Sequence, residues 1–590
     1  MKVSVKWTPL LLLLHAALPT YWVVNAGHRA LGAFALDLTG HIWTVWHAVR
    51  EPLTTTKLIG FPDGVDLMPI VGGWLDIFIS AKLAPLIGLL PAFNATSLLY
   101  IWIAGIGGHV LARTMGASAG PAFIAGTLLQ LDSFLLHHLL GGRTEQVGIG
   151  FIALAIAAGL QAWRAPTTRR GVTFGTACAL VVYVSWEFTF MLTFFLIAMG
   201  LWLLWKDRRE GAVRAWFIGI ATSLVLAGPW AGLFLYRASQ IRTINDDGFG
   251  EDLAIDASLP FLEFFSDTAV TPGLFVLMAL AVTPWTHRSE DRTMWRFWCI
   301  ALLTTWILAL GPAPTLIGTP NTEPSAWAPF TWLQALPIGG WFHWPDRLLV
   351  FWSLAGTAAV GRALTYLAER GRPFWQWAGL GACAVVFTAT DLYQEGRWPY
   401  AGFEPPRRHV AKELRQLDGP GAVLDLPVIP RDPANLRYQL LQFLHRRPIF
   451  ADSYLDHLRE KTAGAQVIAH PVVDWLIPKV GPPPEPPETI TEEEKQVLID
   501  LGFRFIVLHQ KGLEGHRFAT AREALERWFG SARFSSGDWI CWDLVEPNIS
   551  TTTYRPLKRD PSPDVKHPKG SKGKRKKGRK GPRGGAKGQP

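Results

Sequence analysis

Apolar segments of membrane-spanning length fill this chain from Trp7 to about Asp391 and then stop. In lipid, an unpaired backbone N–H or C=O costs several kcal/mol, so segments that cross must be helices or a closed barrel. These runs are continuously apolar rather than alternating, which selects helices. A mixed, Pro-rich stretch follows, and then a tail of basic residues. The pattern predicts an α-helical polytopic membrane protein with one exposed C-terminal domain.

The charge supports this division. The formal net charge is +10, yet eleven Lys and Arg and no acid lie between Lys566 and Pro590, and removing them leaves the rest at −1. The basic character is therefore a property of the tail. The cysteines are Cys178, Cys299, Cys383 and Cys541, without CxxC or Cys/His spacing. That excludes a disulfide framework and a cysteine-based zinc site as organising features.

About eleven transmembrane helices are predicted, at 8–25, 94–113, 120–138, 146–163, 171–186, 187–205, 213–236, 269–286, 295–313, 346–367 and 373–391. The first is read as a retained helix rather than a signal peptide, because many spans follow it. The stretch 70–90 carries Asp76, Lys82 and Pro85 and is predicted to lie at the membrane surface. With the N-terminus in the cytoplasm, the inside loops hold Arg113; Arg164, Arg169 and Arg170; Lys206, Arg208, Arg209 and Arg214; Arg288, Arg292 and Arg296; and Arg370 and Arg372. Each is basic, as the positive-inside rule requires, whereas the outside loop 237–268 is acidic. Eleven crossings put the C-terminus outside.

The domain reading is a transmembrane part over 1–391, an extracytoplasmic α/β domain over 402–547 and a disordered basic tail over 548–590. Residues 422–428 and 503–509 read as strands, 491–501 and 519–529 as helices. The tail favours anionic partners, although a solvated extension is the plainer reading. No nucleic-acid partner is expected, and the oligomeric state is not readable.

Four polar clusters fall on the outer side. Asp37 follows the first helix, and His41 lies one turn later on the same face if 38–50 is helical. The outside turn from Asp132 to Glu145 contains His137, His138 and Arg143. This set is suited to a divalent ion or a phosphate, with a solvated Arg–Glu pair as the alternative. Glu187 sits between two apolar runs, and Arg347 follows His343-Trp344-Pro345-Asp346 just before a helix. Arg347 is placed to meet a lipid headgroup or pyrophosphate, or to anchor at the interface. A P-loop, GxGxxG after a strand, GxSxG and HExxH are all absent, which removes the common soluble-enzyme chemistries.

Taken together, the arrangement resembles the GT-C superfamily of integral membrane glycosyltransferases. The likeness rests on one helix followed by an outside loop with Asp37, the surface segment 70–90, a helix ending in Ala112-Arg113, and a second polar loop after the third helix. A closer likeness is to bacterial members without an assigned substrate, through Leu336-Pro337 to Trp344-Pro-Asp-Arg347, Val423-Leu-Asp-Leu-Pro427, His445-Arg-Arg-Pro448 and Leu501–His509. The first loop has Asp37-Leu-Thr where many O-mannosyltransferase-like members carry paired Asp-Glu. The resemblance implies transfer of a sugar from a polyprenyl-phosphate donor at the outer face of a bacterial inner membrane. It makes Asp37 the catalytic candidate, with His41, Arg143, Glu145, Glu187 and Arg347 binding donor or substrate. No cofactor is required by this reading, and a divalent cation stays open. The alternative is a non-catalytic protein that binds or translocates lipid or serves envelope assembly.

Overall fold

The computed structural model describes residues 8–25, 29–32, 36–240, 254–255, 257–260, 289–315, 323–335, 342–370, 402–403, 410–428, 434–450, 463–477, 485–510, 513, 515–536, 539–546 and 552–553. The predicted spans at 269–286 and 373–391, most of the acidic loop and nearly all of the tail lie outside these residues.

The described residues up to Gln240 are mostly helical: α1 Thr8–Asn25, α2 Leu36–Ala48, α3 Leu67–Ile70, α4 Leu75–Ile87, α5 Leu89–Thr114 and α6 Ala119–Gln130. It continues with α7 Ser133–Gly141, α8 Thr144–Val147, α9 Ile149–Arg164, α10 Thr168–Val184, α11 Trp186–Lys206 and α12 Ala212–Gln240. Among the described residues six helical segments are long and apolar enough to cross a membrane: Leu89–Thr114, Ala119–Gly141, Thr144–Arg164, Trp186–Lys206, Ala212–Ser239 and Pro345–Glu369. Three further helices, α1, α10 and Ser289–Ala309, coincide with predicted spans. The protein is an integral membrane protein. Among the described residues the helices carry exposed apolar side chains, with Leu201, Phe217, Leu224 and Val225 more than 60% exposed. In water such a surface would be an aggregation patch; against lipid it is the solvated face.

The surface segment predicted over 70–90 is α4, ended by Gly88 before α5 begins. The predicted outside turn between the third and fourth helices needs correction. Asp132 is an N-cap, accepting from Phe134 N at 3.1 Å, and residues Ser133–Gly141 continue as helix. Asp132 also accepts from Ser353 Oγ at 2.8 Å, so it ties α7 to the helix Val350–Glu369. Its polarity is consumed in structure and does not open a loop.

Two short ladders dress the outer loops: β1 Ala30–Leu31 with β4 Gly402–Phe403, and β2 Thr55–Thr56 with β3 Val65–Asp66. The C-terminal part carries a five-stranded sheet in the order β5-β6-β8-β7-β9. Here β5 is Ala422–Leu426, β6 Phe503–His509, β7 Phe534–Ser535, β8 Trp539–Asp543 and β9 Thr552–Thr553. β5 and β6 are parallel and β8 is antiparallel to β6. Successive side chains alternate between faces. Leu424, Leu426, Ile506, Leu508, Ile540 and Trp542 pack under the helices Pro471–Leu476 and Gly515–Phe529. Val423, Phe505, Val507 and Cys541 instead face Trp43 and Trp46 of α2 and the helix Ala434–His445. Buried Gln442 pins this contact: it accepts from Trp43 Nε1 at 2.6 Å and donates to Leu58 O at 2.6 Å. The sheet is thereby held on the helix that begins with Asp37.

Candidate functional site

Helix α2 starts just after β1, and its first turn holds Asp37. The C-cap of α7 is Gly142, left-handed at φ 76°, and a Cβ on it would run into the Leu38 backbone. Only glycine allows that approach. It delivers the next residue, Arg143, onto Asp37, with Nε donating to Oδ2 at 2.5 Å. Asp37 remains about one-third exposed, making it the solvent-facing carboxylate of the cluster.

One turn along α2, His41 directs Nδ1 to Asp37 O at 3.2 Å. Its Nε2 lies 3.0 Å from Glu145 Oε2 and 3.8 Å from Asp76 Oδ2. Asp76 comes from the first turn of α4 and receives the Thr144 hydroxyl. Gly73 brings α4 in: a Cβ there would meet Glu145 Cβ at 2.6 Å and Asp76 Oδ1 at 3.1 Å. Burial would lower the His41 pKa, but Glu145, Asp76 and Asp37 outweigh it and hold the imidazole up at about 10. Burial pushes the Asp76 carboxyl up from its ordinary range. Two buried carboxyl groups beside one imidazole favour its charged form.

The second half of the cluster is an arginine relay. Arg347 donates to Glu187, which sits in the first turn of α11 and also accepts from Gln146 Nε2 at 2.9 Å. The Trp344 ring lies between two guanidinium groups, Arg347 at 4.7 Å and Arg143 at 5.5 Å from its centroid. Arg347 Nε is buried without a hydrogen-bond partner among the described residues. A buried donor left open costs about 1–3 kcal/mol, so this one marks a place for an anionic ligand.

The donor set His41, Asp76 and Glu145 also fits a divalent cation. Their three ligand atoms converge within 4.8 Å. His41 Nε2, Asp76 Oδ1 and Glu145 Oε2 are buried and lack hydrogen-bond partners among the described residues. Neighbouring ligands around an ion with ~2.1 Å bonds stand roughly 3–3.5 Å apart, close to the separations seen. One imidazole with two carboxylates suits Zn²⁺ or Mn²⁺.

The structure thus brings Asp37, His41, Arg143, Glu145, Glu187 and Arg347 into one cluster at one end of the spans. At the opposite helix ends Arg113, Arg164 and Arg209 engage backbone carbonyls. Sequence reasoning missed Asp76 as a partner, although an acid opening an apolar helix was a usable signal. It also missed Trp344 between two arginines, and Tyr100, whose buried hydroxyl lies beside Asp76 and Glu145 without a hydrogen-bond partner among the described residues.

Comparison with known proteins adds the architecture. No family model matches the chain, and no curated protein matches its sequence. Solved structures do match. The archaeal oligosaccharyltransferase AglB from Archaeoglobus fulgidus, in complex with an inhibitory peptide and a dolichol-phosphate, aligns with TM-score 0.53 at 12% identity. The alignment covers 86% of this chain and 70% of that one. The Archaeoglobus fulgidus oligosaccharyltransferase tethered to an acceptor peptide aligns with TM-score 0.53 at 13% identity, over 91% and 74% of the two chains. The arabinofuranosyltransferase AftD from Mycobacteria aligns with TM-score 0.53 at 14% identity, over 86% of this chain and 37% of that one. The chain therefore carries the GT-C fold of integral membrane glycosyltransferases, with a small sheet in its C-terminal part.

Proposed function

We propose that this protein transfers a sugar from a polyprenyl-phosphate donor to an acceptor hydroxyl at the outer face of the membrane. The observation that carries the reading is the convergence of Asp37 and Arg143 with Arg347 and Glu187 around Trp344, on a fold shared with membrane glycosyltransferases. AglB was solved with a dolichol-phosphate, and the open Nε of Arg347 suits such a phosphate.

The roles follow from position. Arg347 and Arg143 hold the donor phosphate by charge-assisted hydrogen bonds. As the bond between the anomeric carbon and the phosphate oxygen breaks, negative charge grows on that oxygen, and the two preorganised guanidinium groups stabilise it. The acceptor oxygen forms the new bond to the anomeric carbon. Its proton passes to Asp37, the carboxylate that solvent reaches. Glu187 fixes Arg347, and Glu145 completes the wall. A divalent cation held by His41, Asp76 and Glu145 would add positive charge beside the leaving phosphate.

The topology proposed is an N-terminus in the cytoplasm of a bacterial inner membrane, with the site and an α/β domain over 402–547 outside. The arginines at the helix ends opposite the site support that orientation. A basic segment over 548–590 follows that domain.

Native mass spectrometry of the purified protein with undecaprenyl-phosphate-linked sugars tests this reading. Retained lipid-phosphate that disappears in Arg347→Ala and persists in Asp37→Asn is the expected result. Turnover in Asp37→Asn is expected to fall by about 10²–10⁴-fold. Lipid-phosphate retained with turnover unchanged in Asp37→Asn would point to lipid binding or translocation without catalysis.

A further inference from the structure

The motif His445-Arg-Arg-Pro448 plays no part in the chemistry above, yet it holds an irregular backbone. Arg446 is the non-glycine residue with positive φ, at 59°, among the described residues. An L-residue in that region costs roughly 1–2 kcal/mol, and such strain persists where the surroundings fix it. Here they do. Arg446 N donates to Gln442 O at 2.8 Å, Gln442 Nε2 donates to Arg447 O at 2.8 Å, and Arg447 N donates to His445 Nδ1 at 3.1 Å. The Arg447 side chain turns inward, where Nε donates to Leu414 O at 2.8 Å and Nη2 to Leu417 O at 2.6 Å. Its guanidinium lies 4.7 Å from the Phe505 ring centroid. One arginine of the pair is buried as a staple, and the other is turned out to solvent.

Arg446 is exposed, as are Arg415, whose segment the Arg447 bonds to Leu414 O and Leu417 O bring alongside, and Arg50 at the end of α2, which reaches this helix through Trp46 and Phe443. Burial first, and then the charges of Arg446 and Arg415, push the Arg50 guanidinium down. Arg50 is stacked on Trp46 at 4.5 Å and donates to Trp46 O at 2.6 Å, and Trp46 in turn packs on Phe443 at 5.3 Å. Among the described residues no carboxylate pairs with any of the three arginines. Three guanidinium groups carried on the Trp46–Phe443 pair, with the adjacent Glu51 turned to His47 at 3.4 Å, present positive charge to an anion.

The patch lies at the far end of the helix that opens with Asp37. At 1.5 Å per residue, Arg50 stands roughly 15–20 Å beyond Asp37. It is also braced by the sheet part, through Phe443 and Arg446. We infer that Arg50, Arg415 and Arg446 form an acceptor-side site for a phosphate-bearing glycan chain, whose growing end reaches Asp37 while an anionic group farther along is held at the patch. The acceptor role rests on the transferase reading; the anion site itself does not. A donor lipid is a poorer occupant, since its phosphate is met by Arg143 and Arg347 at the other end of α2.

Hydrogen–deuterium exchange on the full chain in neutral-lipid nanodiscs, with and without short-chain polyphosphate, tests the inference locally. Exchange through local opening slows about tenfold at ten times the dissociation constant. Slowing over residues 44–51 and 441–448 in the wild type is expected. It should be lost in Arg446→Gly, which keeps the backbone conformation, and in Arg50→Gln. Binding by the basic tail leaves those two segments unchanged and so does not mimic the result. Absence of slowing in the wild type, or equal slowing in Arg446→Gly, overturns the site. The same slowing produced by anionic-lipid nanodiscs alone makes it a membrane contact and overturns the acceptor assignment. Slowing in a protein that transfers no sugar counts against the transferase reading and leaves the anion site standing.

Discussion

The two ends of helix α2 handle charge in opposite ways. At its start opposite charges face one another: Asp37 with Arg143, His41 with Glu145 and Asp76, and Arg347 with Glu187 nearby. At its end three exposed arginines lie together without a carboxylate partner among the described residues, and the neighbouring Glu51 is turned to His47 at 3.4 Å. The first arrangement is costly to disturb, because removing one partner strands a buried charge. The second is costly to maintain and cheap to remove, because its members repel. A site that must be dry and preorganised for bond cleavage needs the first kind. A surface that selects a polyanion from water needs the second, and screening by salt tunes it.

The largest effect should come from breaking the most buried pair. Arg347→Ala leaves Glu187 with Gln146 but no cationic partner, and losing one member of a buried pair costs about 3–5 kcal/mol. Thermal unfolding in detergent should show the loss. The double variant Arg347→Met/Glu187→Leu should recover most of the stability without recovering binding of lipid-phosphate. Recovery of both would mean the pair serves folding only.

Next is a pH effect at His41. Its pKa is raised from 6.5 to about 10 in the folded protein. The added stability is therefore complete below pH 6.5 and disappears as pH rises through about 10. In chelator-treated protein, thermal stability should decline across that window, and His41→Gln should flatten the decline. A divalent ion bound there competes with the proton, so the stabilisation it provides should grow with pH. A slope unchanged in His41→Gln would remove His41 from the charge set.

A smaller effect is expected at Gly73. A methyl group there must displace Glu145 or the Val184 carbonyl, and overpacking costs about 1–3 kcal/mol. Gly73→Ala should lower the melting temperature and weaken Mn²⁺ or Zn²⁺ binding measured by calorimetry. Arg446→Gly, by contrast, should leave metal binding untouched.

These sites differ in how far the sequence discloses them. Span length is written in runs of apolar residues, so nine helices among the described residues were legible at their approximate positions. Asp37, Glu187 and Arg347 were legible because charged residues at the ends of apolar runs are conspicuous. Their mutual contacts were not, since these depend on Gly142 and Gly73 admitting neighbouring backbone. The stretch from Asp132 to Glu145 read as a loop because it is densely polar. It is mostly helix because Asp132 is satisfied by Phe134 N and Ser353 rather than by water. β7 and β9 are two residues long, too short for period-two alternation to register. The positive φ at Arg446 comes just past the helix Ala434–His445, where Arg446 N still donates to Gln442 O, and only the hold on Arg447 by Leu414 O is long-range and hidden from the sequence.

The smallest predicted effect has the opposite sign. Glycine accepts φ of 59° without the Cβ clash, which relieves roughly 1–2 kcal/mol. It also loses more backbone entropy on folding, costing about 0.5–1 kcal/mol. Arg446→Gly should therefore be neutral to more stable by about 1 kcal/mol, read by thermal unfolding of the full chain in detergent. Removing one of three repelling charges adds to the gain at low salt, so the difference between variant and wild type should shrink as ionic strength rises. A residue whose loss stabilises the fold while abolishing polyphosphate protection is held for binding, since stability alone would favour its replacement. If Arg446→Gly instead destabilises the protein, the Arg446 side chain contributes to the packing of the sheet against α2, and the contrast between the two ends of the helix loses its second half.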